Sequence, residues 1–253
     1  MIAYSLAAIF GVFSSYLTYF HIKRREIIDT VISDIEKKNI FVTIESENAK
    51  KDRIRKEVTR WANPILGAGQ DLEARLKNIL DNQGYLALNK DYLEEDITNW
   101  SISYDYFLKS SLYLFAQYFC WIRMLQENLN FELFQTQHER QDFFAAIEAV
   151  SQALGSFPPN YGPGDRQVFK LQQRAIGELM MVQNGNHRQC LSYPEFFKKI
   201  DEDLSFRKHI EPLRLLLEDL NSNTSRWDRL QNTQKQLSIL NKACNDLLSH
   251  KSK

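Results

Sequence analysis

Glycine and proline are scarce. The 253 residues hold nine of the first and six of the second. That shortage disfavours a turn-rich all-β fold and leaves no glycine-rich phosphate loop. An excess of one charge is also missing. Lys+Arg and Asp+Glu each number 32, so the formal net charge is zero, whereas a dedicated nucleic-acid binder carries a clear basic excess. Nucleic acid is therefore not an expected partner. Three cysteines, Cys120, Cys190 and Cys244, lie far apart with no C-x-x-C spacing, so reduced thiols are expected. The five histidines form no H-x-x-x-H or H-E-x-x-H pair, and none has an arginine four to six residues upstream. There is no Walker loop and no G-x-S-x-G elbow. The sequence thus assigns no metal, no cofactor and no catalytic set.

What is present begins at the N-terminus. Residues Ile2 to Phe20 carry no charge. As a helix this run measures roughly 28 Å, about one hydrocarbon core. Lys23, Arg24 and Arg25 follow at once, and nothing basic precedes the run. That order is opposite to a cleavable signal peptide. It predicts a signal anchor with the basic cluster, and hence the rest of the chain, in the cytoplasm. Ala3, Ala7, Gly11 and Ser15 recur every four residues. Such a strip of small side chains lets membrane helices approach closely, which predicts self-association through the anchor.

Helical spacing continues beyond it. Ile28, Val31, Ile32 and Ile35 repeat between charges, as in a stalk whose apolar edge packs on the body or on a neighbouring copy. Lys50, Lys51, Arg53, Arg55, Lys56 and Arg60 then form a basic stretch, read as a solvated face or as a contact for anionic headgroups. The domain reading is residues 1–22 as transmembrane anchor, 23–60 as stalk and basic juxtamembrane helices, and 61–253 as a cytoplasmic α-helical domain. Residues 41–44, Phe-Val-Thr-Ile, are the one β-like stretch. Helices are predicted over 2–38, 48–61, 64–83, 101–130, 136–154, 166–183, 193–203, 206–220 and 225–249. The fold class is all-α: one N-terminal transmembrane helix followed by a multi-helix cytoplasmic bundle.

Ser110 to Ile122 carries no charge and is too short to span a bilayer, so it predicts a central buried helix with Gln117 at its middle. On helix 166–183 a helical wheel places Val168, Leu171, Ala175, Leu179 and Val182 on one side, with Phe169, Ile176 and Met180 beside them. Gln172 sits among them, Arg174 and Glu178 are spaced to pair on the border, and Gly177 falls opposite. Gln117, Gln172, Arg174 and Glu178 are the candidate polar site, or a network that fixes helix registry. Two loops, 155–165 and 184–192, flank this helix and are candidate functional loops. In the last helix Trp227, Leu230, Gln234, Leu237, Asn241, Cys244 and Leu248 make a heptad-like seam, read as packing within the domain or as a partner surface.

The strings Gln173-Arg174-Ala175-Ile176-Gly177-Glu178-Leu179-Met180, Leu114 to Trp121 and Asp71 to Leu80 resemble an uncharacterised family of bacterial membrane-anchored α-helical proteins. The resemblance covers roughly residues 55–250. It implies a bacterial inner-membrane location and no particular chemistry. The leading expectation is a membrane-anchored interaction or scaffold protein with a protein partner. The alternatives are a homo-oligomeric membrane effector or pore of the anti-phage type, and an anchored enzyme of unknown reaction.

Overall fold

The computed structural model describes residues 2–90, 103–128, 134, 136–156, 166–185 and 187–249, with the side chains of residues 2–18 and 27 outside that description. The chain divides into two compact units, Met1–Arg53 and Ile54–Lys253.

Helix α1 runs from Ile2 to Asp81. The sequence reading had broken it into three helices and left residues 41–44 as a β-like stretch. That expectation is corrected. No glycine or proline lies between Val12 and Asn63 to stop the helix, and Thr43 Oγ1 donates to the Asn39 carbonyl at 2.8 Å along the helix. Four residues of β propensity do not outweigh uninterrupted backbone bonding on both sides. Pro64 sits inside the helix rather than in its first turn.

The first unit is helical throughout its described residues. Its side chains from Tyr19 onward are largely solvent-facing, among them Ile28, Val31, Ile32, Ile35 and Val42. Among the described residues no helix is long and apolar enough to cross a membrane. The strip Ala3, Ala7, Gly11 and Ser15 and the expected anchor as far as residue 18 fall on residues whose side chains lie outside the described ones, while Tyr19 to Ile22 are exposed.

The second unit is built around α2 (Tyr104–Glu127), which begins at Ser103, whose hydroxyl accepts from the Tyr106 amide. Phe107, Leu108, Leu112, Phe115, Phe119 and Met124 on it are buried. It packs against α4 (Lys170–Leu179), α5 (Tyr193–Glu202) and α6 (Leu204–Leu217). A second pair is α3 (Gln137–Gly155) against α7 (Ser225–Ser249). From α1, Val58, Trp61, Ile65, Leu72, Leu76 and Ile79 enter the core at steps of three, four and seven, the stripe of an amphipathic helix. Arg75 on that stretch donates to the Ser110 and Ser111 hydroxyls, both at 3.0 Å, and lies 4.4 Å from the Phe107 ring. Burial lowers its pKa from the ordinary value. The seam of α7 packs inside this unit: Leu230, Leu237, Asn241 and Cys244 are buried, and the Asn241 amide donates to Glu73 Oε2 at 2.6 Å.

A β-hairpin interrupts the helices where the sequence reading continued 166–183 and then drew a loop. Strands β1 (Met181–Asn184) and β2 (His187–Cys190) pair antiparallel, Met181 opposite Cys190 and Asn184 opposite His187. Gly185 takes a φ of 58° at the first position of the turn that follows the Asn184–His187 pair, where a tight hairpin loop needs a positive φ and so favours glycine. The fold is all-α with this one hairpin among the described residues.

The first turns of α7 join the bundle together. Arg226 Nη1 donates to the Leu215 and Glu218 carbonyls at 2.9 and 2.6 Å, closing the end of α6. Arg229 Nη1 and Nη2 donate to the Ala153 and Ser156 carbonyls at 2.9 and 3.0 Å, closing the end of α3. Helix C-termini leave carbonyls without intrahelical partners and carry partial negative charge, and guanidinium groups answer both. Arg229 has no exposed surface.

Candidate functional site

The sequence-predicted polar site does not assemble as one network. Gln172 Oε1 accepts from the Phe169 amide at 2.8 Å, which caps the start of α4. Arg174 and Glu178 are exposed, and Glu178 pairs with Arg123 of α2 at 2.7 Å. Gln117 is half-buried, and its backbone carbonyl accepts the Cys190 thiol at 3.8 Å. The buried glutamine is the neighbouring Gln173, whose Nε2 donates to the Val168 and Ser151 carbonyls at 2.7 and 2.9 Å. Gly177 faces the core: a Cβ built on it would lie 2.6 Å from the Phe119 carbonyl oxygen. The inward face of α4 is therefore Gln173, Ile176, Gly177 and Met180, and the string that carried the family resemblance is its packing surface against α2. The crevice beside it, between Tyr118, Arg123, Gln173 and Arg174, encloses about 30 Å³. That is room for a water molecule, not an organic ligand.

A larger groove lies elsewhere on the second unit. Arg60 and Trp61 of α1, Trp121, Met124, Glu127 and Asn128 of α2, and Gln183, His187 and Arg188 of the hairpin enclose about 760 Å³. That volume is within the range of ligand and peptide pockets. Trp61 is buried and its indole N–H donates to Glu57 at 3.3 Å. The Arg60 guanidinium lies 5.1 Å from the Trp61 ring centre. Glu127 bridges two cations, Arg123 at 3.2 Å and Arg188. The chain of alternating charge Arg188–Glu127–Arg123–Glu178 fixes the hairpin beside α2. Two indoles, guanidinium groups and the side-chain amides of Asn128 and Gln183 make a surface suited to aromatic or planar groups and to hydrogen bonding. The groove draws on residues from three separate stretches of chain, which no sequence spacing reveals. Trp61 beside Arg60 was its one visible trace.

Among the described residues no group of three histidine, cysteine or carboxylate side chains could hold a metal ion. The thiols of Cys190 and Cys244 are kept protonated. Cys190 lies against Cys120, and this contact together with burial pushes the Cys190 thiol up. Burial raises Cys244 to about 12 and Tyr113, whose hydroxyl donates to the Leu191 carbonyl, also to about 12. A nucleophile needs the opposite shift. The basic residues Lys23, Arg24, Arg25, Lys50, Lys51, Arg53, Arg55 and Lys56 are all exposed.

Fold and groove together define a class: an all-α body with one hairpin and an open aromatic–cationic groove. Compared with protein families, with curated proteins and with solved structures, the chain matches none.

Proposed function

We propose that this chain is a membrane-anchored interaction protein, with residues 2–20 in the bilayer, residues 54–249 as a cytoplasmic body, and the Trp61/Trp121/Arg188 groove as the place where that body engages a protein partner. The observation that carries the reading is the uncharged run Ile2 to Phe20 ending at Lys23, Arg24 and Arg25, set in a unit separate from the compact body. Positive charge retained on the cytoplasmic side gives the orientation. The groove supports interaction, because its tryptophans and arginines are the residue types that dominate binding energies.

Vesicle flotation tests the membrane half of this reading. The full chain is expected to float with phosphatidylcholine/phosphatidylglycerol vesicles and to stay with them in alkaline carbonate. Ile9→Arg with Phe13→Arg places two charges in the run, each costing about 2.5–3.5 kcal/mol at a helix centre. That variant is expected to remain at the bottom of the gradient with an unchanged far-ultraviolet circular dichroism spectrum. A full chain that does not float, or a double variant that floats as well as the parent, contradicts the reading.

A further inference from the structure

The exposed face of α1 in the first unit carries a seam. Ile28, Ile32, Ile35, Asn39, Val42, Ser46 and Ala49 follow one another at steps of four and three over three heptads, and every one is exposed, with Ile35 at 54% and Val42 at 55%. A 3.5-residue repeat of this kind keeps one line of side chains facing a partner helix along its whole length. Ile32, Asn39 and Ser46 take the a positions, and Ile28, Ile35, Val42 and Ala49 the d positions. An isolated helix gains nothing from a line of β-branched residues in water, since these lower helix propensity and leave apolar surface wet.

The charges beside the seam identify the occupant. In parallel, in-register pairing a g residue faces the e residue five positions on in the next chain. That rule sets Arg24 against Asp29 and Glu45 against Lys50 of a second copy. It sets Lys38 against Thr43 and Val31 against Glu36, and the like charges it brings together between residues 24 and 50 are the Arg25 side chains, at the a position that opens the segment. The same alignment stacks Asn39 on Asn39. A lone asparagine at a core position fixes register, because any slip leaves its amide among apolar side chains.

We infer that residues 24–50 of α1 form a parallel, in-register coiled coil with further copies of this chain. Ile28, Ile35 and Val42 supply the apolar d layer, and Ile32 sits at a with Asn39 and Ser46 following it. The inference is independent of the membrane proposal: it concerns a segment beyond the uncharged run, and its test runs in detergent, where failure to bind vesicles has no bearing.

The test uses the full chain in mild detergent. Light scattering is expected to give a protein mass that is a multiple of 29.8 kDa. Asn39→Cys, oxidised with glutathione disulfide, is expected to give a covalent dimer on a non-reducing gel, two thiols forming one disulfide as the oxidant is reduced to glutathione. Phe41→Cys, on the opposite face of the helix, is expected to give at least tenfold less. Glu45→Lys is expected to lower the mass, and Glu45→Lys with Lys50→Glu to restore it. All of these positions are exposed, so the variants keep the helix. A mass of one chain overturns the inference. So does equal cross-linking at 39 and 41, as docking on another surface or association through the anchor alone would give. A mass that Glu45→Lys leaves unchanged, or a charge swap that fails to restore a lowered one, overturns it as well.

Discussion

Arg229→Ala is expected to destabilise the body by about 4 kcal/mol. Two carbonyls at the end of α3, those of Ala153 and Ser156, lose their guanidinium partners. Leaving the buried Ala153 acceptor unsatisfied costs about 1–3 kcal/mol, while the carbonyl of the exposed Ser156 can turn to water. A void is left where the side chain had no exposed surface, and voids of this size add further cost. Per kcal/mol a domain of about 200 residues loses roughly 2–4 °C of Tm, so thermal denaturation of the full chain in detergent is expected to fall by about 10 °C. Arg229→Met separates the terms. It keeps most of the volume and none of the hydrogen bonds, and is expected to lose roughly half as much. A loss below about 1 kcal/mol in Arg229→Ala shows that α3 does not depend on this cap.

Gly177→Ala is the second large effect, and it comes from a methyl group. A Cβ there would meet the Phe119 carbonyl oxygen at 2.6 Å and the carbonyl carbon at 2.9 Å. Both belong to the backbone of α2, which cannot rotate away as a side chain can. Either α4 moves off α2 or the contact is strained, and overpacking of this kind costs about 3 kcal/mol at the upper end of its usual range. Gly67 supplies the control. It also lies within a helix, but a Cβ there meets nothing within 4 Å. Gly67→Ala is therefore expected to stabilise the protein by about 0.5–1 kcal/mol, through the lower backbone entropy of the unfolded chain. Urea denaturation of both variants checks the pair. Equal signs for the two substitutions contradict the packing described for α4.

The contrast between Gly177 and Gln172 shows where the sequence was legible. Helix α7 was read to the residue, because its seam has regular steps over 25 residues and serine opens it. Helix α4 was recognised, and its inward face was read only in part: Ile176 and Met180 were placed at its edge and Gly177 opposite. Its ten residues offer few apolar positions, and the wheel turned Leu171 inward although that side chain is 75% exposed. The face that packs is made of a glutamine, an isoleucine, a glycine and a methionine, because close approach to α2 requires the small residue and leaves an amide to satisfy two carbonyls. Hydrophobicity alone does not see that requirement. The continuity of α1 was missed for the opposite reason. Local β propensity at residues 41–44 was given a weight that a long uninterrupted helix does not concede. Arg229 was passed over because a charged residue beside an apolar seam reads as surface, and only the end of α3, far away in sequence, explains its burial. The same separation hid the groove, whose walls come from α1, α2 and the hairpin.

Hydrogen exchange of the full chain, followed by mass spectrometry with and without phosphatidylcholine/phosphatidylglycerol vesicles, tests the account most directly. The account places the membrane at residues 2–20 and a self-contained body at 54–249. Added vesicles are expected to slow exchange strongly in peptides covering 2–20 and to leave the buried stretches of α2, α3 and α7 unchanged. Exchange over 2–20 that ignores the vesicles, or protection that appears instead within the body, contradicts it.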